Sequence, residues 1–296
     1  MGWKSEIARS AVKKALPFKP ILRRLKRRML PCAPQFADHR IAVEHGIKLI
    51  EMLRACDFDV AGKVGLEIGT GWVPTIPIIH WIAGAERFYL ADVVRYLDEQ
   101  TLGLARQNVE LHADLIERRL GIPQRALEKK LSQAKALQDF GFTYLAPVRW
   151  QSFDPASVDY VISRAVLEHI PIGKIPVVLS SISRILKAGG LAASIIDNSD
   201  HFQHGDKSIT RLNFLRFSDW KWSLICALTD QQNRLRHSDY RRIFSSSGLL
   251  TIYEERYVDE EVLIVLGNLQ VHPTFGRYQR EDLAAITSYF VLQKPA

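Results

Sequence analysis

Cysteine is scarce in this chain: Cys32, Cys56 and Cys226 stand far apart among 296 residues, with no Cys-x-x-Cys pair. That excludes a disulfide framework and a zinc ribbon, and it fits a reducing compartment such as the cytoplasm. No uninterrupted apolar run reaches the length of a bilayer span, so no transmembrane helix is expected. Internal repeats and low-complexity tracts are missing too. Acidic residues are depleted in one stretch. Residues 1–30 carry ten Lys or Arg against the single acid Glu6, a net +9, which leaves 30 bases against 31 acids in the remainder. The formal charge of +8 therefore belongs to a tail. The nearly neutral body speaks against nucleic-acid binding, which calls for a basic surface on the domain itself.

The composition, 47% hydrophobic and 24% charged, is that of a globular protein. Residues 1–30 read as a basic amphipathic extension, with Trp3, Ile7, Val12, Leu16, Ile21, Leu22, Leu25 and Leu30 between the charges and Pro17 and Pro20 as breaks. Three readings stand side by side: a segment lying on the inner face of an anionic membrane, a helix packing its apolar stripe on the domain, or an Arg-rich organelle leader. The apolar core of a secretory signal is lacking, so secretion is disfavoured. Residues 31–296 are expected to form one domain, with 197–236 as a lid or acceptor region.

The most informative segment is Lys63-Val-Gly-Leu-Glu-Ile-Gly-Thr-Gly-Trp72. A short apolar strand carries Glu67 and runs into Gly69-Thr70-Gly71, where two glycines permit positive φ and close backbone approach to a ligand. A carboxylate two residues before the loop suits a ligand bearing ammonium and sulfonium charges rather than a pyrophosphate. That points to S-adenosylmethionine (AdoMet) and away from a dinucleotide. The bland alternative is a strand-to-helix turn with no ligand.

Along the chain, 37–56 reads as a helix with Ile41, Val43, Ile47, Ile50 and Leu53 on an apolar face. Strands are expected at 64–68, 87–91, 142–145, 158–163, 191–196, 250–257 and 284–292. Between them, helices are expected at 74–83, 97–119, 126–137, 175–186 and 238–247. This alternation predicts an α/β fold: a doubly wound, seven-stranded, mostly parallel sheet, with a helical N-terminal extension and a helical lid insertion. Ligands of such sheets sit at the carboxyl ends of the strands, where Gly69, Asp92, Ser163 and Asp197 fall.

Four motifs in this order resemble the class I AdoMet-dependent methyltransferases, particularly the broad bacterial small-molecule group, over residues 38–295. They are Leu66-Glu-Ile-Gly-Thr-Gly71, Asp92 closing the second strand, Val158-Asp-Tyr-Val-Ile-Ser-Arg-Ala-Val-Leu-Glu-His169, and Leu186-Lys-Ala-Gly-Gly190 against the family's Leu-Lys-Pro-Gly-Gly. The resemblance implies that Glu67, Gly69, Thr70 and Gly71 meet the amino-acid end of AdoMet. It also implies that Asp92 accepts from the ribose hydroxyls, and that Ser163 and Arg164 line the pocket floor. Two departures stand out: Val73 replaces a third glycine, and where many relatives place an acid after the third strand the nearest equivalent is Arg149 or Gln151, with Asp154 read as a turn cap.

Methyl transfer from a sulfonium is largely a matter of holding the acceptor close, aligned and dry, but a hydroxyl acceptor also needs a base. Candidate bases are His169 and the run Asp197-Asn-Ser-Asp200-His201-Phe-Gln-His204; His169, Asp197 and His201 are the principal catalytic candidates. No recognised metal-ligand spacing occurs among Asp197, Asp200, His201 and His204, and the site is expected to work without a metal. The Asn/Asp-Pro-Pro-Tyr sequence of nucleobase amino-methyltransferases is replaced by Ser163-Arg164-Ala165-Val166, a further mark against nucleic acid. Phe214, Phe217, Trp220 and Trp222 suggest a wall over a sizeable or ring-bearing acceptor, or else the core of an inserted helix pair. The expected activity is O-methylation of a medium-sized small molecule or glycan hydroxyl. Transfer to nitrogen or carbon on a lipid- or quinone-like metabolite, and a non-catalytic AdoMet-binding module, remain as alternatives.

Overall fold

The computed structural model describes residues 2–5, 7, 8, 10, 39–229 and 232–296. Its frame is one sheet of seven strands: β1 (Val64–Ile68), β2 (Arg87–Ala91), β3 (Phe142–Leu145), β4 (Val158–Arg164), β5 (Leu186–Asp197), β6 (Leu250–Val258) and β7 (Ala285–Gln293). They lie in the order β3-β2-β1-β4-β5-β7-β6, and β7 runs antiparallel to both its neighbours. The first five strands are parallel, so their carboxyl ends share one edge. Strand order reverses beside β1, and the loops after β1 and β4 open there, as binding sites of doubly wound sheets require.

Sequence dictates the close approaches within this sheet. Gly65 in β1 has no side chain because Phe88 and Tyr160 cross over it; an added Cβ would meet Phe88 at 2.4 Å and Tyr160 at 2.8 Å. One face is covered by helices α1 (Arg40–Arg54), α2 (Thr75–Ile82), α3 (Glu99–Leu111), α4 (Ala113–Leu120) and α5 (Gln124–Ser132). Their buried Val43, Ile47, Ile79, Leu102, Ile116 and Leu127 form a core with Phe88 and Tyr160. The other face carries α6 (Ile175–Ile185). Leu179 and Ile182 of α6 pack there with Leu66, Tyr240 and Phe244.

The helix expected over 97–119 is broken at His112. The break turns Ala113, Ile116 and Leu120 inward, and it brings Arg119 onto Glu51 and the Leu120 carbonyl onto Arg54 of α1. Tertiary packing overrides helical periodicity here. The fifth strand is also longer than expected, running through Gly189 and Gly190 from Leu186. A Cβ on Gly190 would lie 2.9 Å from the Asp159 carbonyl, and the β4–β5 register shifts between Val158 and Tyr160.

The region 197–236 holds α7 (Phe202–Gly205) and α8 (Asp219–Thr229), followed by α9 (His237–Ser245). Later come α10 (Glu260–Asn268), which sequence reasoning missed, and α11 (Arg280–Ala284). Phe202, Phe214, Leu215 and Trp222 pack with Val262, Leu266, Phe275 and Leu283 into a third apolar cluster. Phe214 and Trp222 are thus interior to this insertion, whereas Trp220 is 67% exposed. Of the basic tail, Trp3 and Ile7 rest on the same cluster; Trp3 lies 5.9 Å from Phe202 and 5.6 Å from Phe217, and its N–H donates to Asp206. Residues 11–38, with most of the tail's charge, lie outside the described residues. Among the described residues no helix is long and apolar enough to cross a membrane.

Candidate active site

The loop after β1 turns through two left-handed glycines, Gly69 (φ 75°) and Gly71 (φ 68°). Gly69 is confined: an added Cβ would sit 2.4 Å from a methyl of Val166. Gly71 is open, with nothing nearer such a Cβ than 3.9 Å. The Gly71 amide donates to Asp92 Oδ2 at 2.9 Å, and Asp92 Oδ1 accepts from Val94 at 3.1 Å. Loop and second strand are therefore locked together where a cofactor would bridge them.

Glu67 is buried, and its Oε2 has no hydrogen-bond partner. Burial pushes its carboxyl up to about 8, against the pull of Thr70 and Arg164. A lone buried carboxylate is costly, and a cationic ligand beside it would relieve that cost. Arg164 at the end of β4 donates from Nε to Nδ1 of His45 on α1 at 2.8 Å. Burial, with Arg164 next in weight, lowers His45 to about 3, so it accepts as a neutral ring. Ser163 is buried and bonds Ser194 of β5 at 3.0 Å, a link within the sheet.

Beyond β4 the chain passes through Ala165 at φ 53°, a left-handed conformation strained for alanine. A single helical turn, Leu167–His169, follows. Glu168 is buried and His169 exposed. Glu168 Oε1 accepts the Asp197 amide at 3.3 Å, while its Oε2 is without a partner. Burial raises Glu168 to about 8. His169 lies 4.9 Å, ring to ring, from His201, which in turn stacks at 5.0 Å on His204. Loss of water around its ring inside the cluster, with His201 next in weight, lowers His169 to about 4 although the residue keeps an exposed edge, so it is neutral near pH 7.

Asp197 ends β5 and gathers both remaining imidazoles: its Oδ2 lies 3.3 Å from His201 Nε2 and 3.6 Å from His204 Nε2. Its Oδ1 accepts from the Ser199 amide and hydroxyl. Burial opposes its ionisation, but His201 and Ser199 together hold it down at about 2. Asp200, another candidate base, is spent on structure. It is fully buried and accepts from the Phe202 amide and from Asn213. Arg149, Gln151 and Asp154 are all exposed.

The run Asn233-Arg-Leu-Arg-His-Ser-Asp-Tyr240 supports the site from behind. Asn233 clamps the Glu168–His169 turn: its amide donates to the Glu168 carbonyl, and its side chain donates to the Leu167 and Ile170 carbonyls. Tyr240 in turn donates to Asn233 at 3.2 Å. Arg236, fully buried, donates to the carbonyls of Asn198, Asp282 and Ala285 and so fixes the loop after β5. The polar spacing of this run was the signal; its partners are remote in sequence.

A family model described as a methyltransferase domain matches residues 122–194, which span β3, β4, α6 and most of β5. No curated protein matches the chain. Among solved structures, the chain is similar to a phosphoethanolamine N-methyltransferase from Haemonchus contortus in complex with AdoMet, at 16% identity and TM-score 0.49, over 92% of this chain and 59% of that one. It is also similar to a candidate sarcosine dimethylglycine methyltransferase from Galdieria sulphuraria, at 13% identity and TM-score 0.49, over 86% of each chain. An AdoMet-dependent methyltransferase from Mesorhizobium loti gives 12% identity and TM-score 0.45, over 81% of this chain and 95% of that one. The matched stretch is a methyltransferase domain, and it sits in a seven-stranded sheet of the Rossmann-like methyltransferase fold. The chain is an AdoMet-dependent enzyme, and S-adenosylmethionine is its cofactor.

Proposed function

We propose that this methyltransferase acts on a hydroxyl oxygen of a medium-sized small molecule or glycan. The observation that carries the reading is the grouping of His169, His201 and Asp197 at the ends of β4 and β5, beside the glycine loop. Transfer to an amine delivered neutral needs no such base, whereas a hydroxyl must shed its proton as the methyl arrives.

In this reading Glu67, Gly69, Thr70 and Gly71 take the amino-acid end of AdoMet, Asp92 takes the ribose, and Ser163 and Arg164 stand behind them. The carbonyl edge of the loop and the Glu67 carboxylate favour the ammonium and sulfonium charges. The acceptor lies between the sulfonium and His201. Its proton passes to the imidazole, the O–CH3 bond forms as the S–CH3 bond breaks, and S-adenosylhomocysteine leaves. Asp197 stabilises the imidazolium, as a buried carboxylate partner does in other acid–base pairs. His169, neutral and at the rim, orients the acceptor or serves as the alternate proton acceptor.

The clustered charge of residues 1–30 supports an acceptor presented at an anionic membrane surface, lipid-linked or dissolved in the bilayer. The test is label transfer from methyl-labelled AdoMet to parallel panels of phenols and quinols, sugars and lipid-linked glycans, and amines. Label in an ether, with a rate that rises with pH, is expected. Label confined to amines, with a flat profile, would overturn the oxygen assignment.

A further inference from the structure

We propose that Glu168, His169 and His201 form a binding site for a divalent cation of the manganese, cobalt or zinc type. One donor atom from each of the three residues lies within 4.8 Å of the others. An ion bonded at about 2.1 Å to each of three ligands holds its donors about 3.0–3.6 Å apart, so the side chains must close by up to about 1–2 Å to complete the set. Two imidazoles and one carboxylate suit first-row divalent metals, and three protein ligands leave positions for water or substrate.

Two orphaned atoms point to an ion rather than to a mere polar cluster. Glu168 Oε2 is buried without a hydrogen-bond partner, in a residue only 1% exposed. His201 Nε2 is likewise a buried atom outside the hydrogen-bond network, with the Asp197 Oδ2 carboxylate oxygen 3.3 Å away. Buried polar atoms in folded proteins rarely go unpaired, and a cation between these two would serve both. His169 is exposed, which gives the ion an entry path.

The surroundings hold these donors in place. Glu168 Oε1 is engaged by the Asp197 amide, which leaves Oε2 to face the cluster. Asn233 fixes the backbone of the Glu168–His169 turn through three donated bonds. Asp197, fastened by Ser199, supplies a carboxylate oxygen beside His201, either as a fourth ligand or as its outer-sphere partner. Arg164, whose charge reaches Glu168 and Asp197, is itself held by a bond to His45 on α1. Val166, packed over Gly69, sets the cluster next to the glycine loop.

The cation's chemical use rests on the hydroxyl reading above. It would hold the acceptor oxygen and promote loss of its proton to solvent; with the ion bound, His169 and His201 serve the same hydroxyl as ligands, in place of the base role they fill without it. The favoured acceptors would then be those that present a hydroxyl able to coordinate.

The site can be tested without any acceptor. Tag-free, full-length protein is stripped with a chelator, then titrated with Co2+ by visible absorption and with Mn2+ by electron paramagnetic resonance. One ion per chain is expected, with affinity weakened about tenfold or more in each of E168Q, H169A and H201A. AdoMet affinity, measured alongside, checks that each variant is folded; H169A, at an exposed position, keeps the test decisive if a buried variant fails to fold. Absence of stoichiometric binding, or binding that survives in H169A and in the folded members of the other two, would overturn the site. Methyl transfer that proceeds in chelator would leave the oxygen assignment standing and remove the metal from it.

Discussion

Asp92 accepts a hydrogen bond from the Gly71 amide at 2.9 Å, so the residue assigned to the ribose already braces the loop assigned to the amino-acid end of the same cofactor. One side chain thereby couples two subsites. Asp92→Ala should lower AdoMet affinity by about 10- to 100-fold, in keeping with the loss of charge-assisted bonds worth about 1.5–3 kcal/mol. Isothermal calorimetry with AdoMet and S-adenosylhomocysteine measures it, and an unchanged affinity would refute the ribose assignment.

Glu67 gives a pH signature. Its carboxyl, raised to about 8 in the free protein, holds its proton at neutral pH, and a cationic ligand draws the proton off. AdoMet binding should therefore release protons at pH 7, and affinity should climb with pH until about 8. Calorimetry in buffers of different ionisation enthalpy reads the release directly. In Glu67→Gln both the release and the slope should vanish; if they persist, the proton comes from elsewhere.

His80 bears on stability rather than catalysis. It is fully buried, bonded to Tyr160 at 3.1 Å, and burial lowers it from an ordinary 6.5 to about 3. Between those values the unfolded chain binds the proton and the folded chain does not. Stability is thus retained above pH 6.5 and lost as pH falls toward 3. Each such histidine contributes a slope of about 1.4 kcal/mol per pH unit. Urea denaturation of His80→Gln should show a slope shallower by about that amount, and an unaltered slope would exclude His80 as its source.

Backbone strain at the two loops can be tested from opposite directions. Ala165→Gly relieves a positive φ and should stabilise the protein by about 1 kcal/mol. Gly69→Ala imposes both a strained φ and a 2.4 Å contact with Val166, and it should cost about 2 kcal/mol or more along with cofactor affinity. Chemical denaturation of the pair settles the signs; a stabilised Gly69→Ala would contradict the loop geometry.

For the tail, reversing the charge of Lys13, Lys14, Arg23 and Arg24 to Glu should abolish binding to anionic vesicles and leave AdoMet affinity intact. Charge reversal is preferable to deletion, because Trp3 packs on Phe202 and Phe217. Cosedimentation at increasing salt reports the effect, and retained vesicle binding would assign membrane contact to another surface.

Strands β2 and β3 were legible to the residue, because short apolar runs bounded by Gly141 or Asp92 have one good solution. The break at His112 was not, since what bends the chain is α1, more than fifty residues earlier. Glycine loop, Asp92 and the histidines announced themselves by residue type and position. Glu168 did not: between Val166 and His169 it reads as a spacer, and its importance lies in a buried oxygen whose isolation depends on β5. The role of Asn233 was not legible either, because an asparagine bonded to carbonyls some sixty residues away leaves no local trace.

Strand β7 lies between β5 and β6, so the seventh of the sheet's strands in chain order enters its interior. Asp197 takes its place opposite Thr287, and Arg236 hangs on the carbonyl of Ala285. A growing chain therefore possesses its glycine loop, Asp92 and the Glu168–His169 turn well before the wall that positions the acceptor can exist. During synthesis β5 presents an open edge that only residues 285–293 close. Until β7 docks, the sheet therefore ends in the unpaired edge of β5, and the acceptor wall has nothing to lean on.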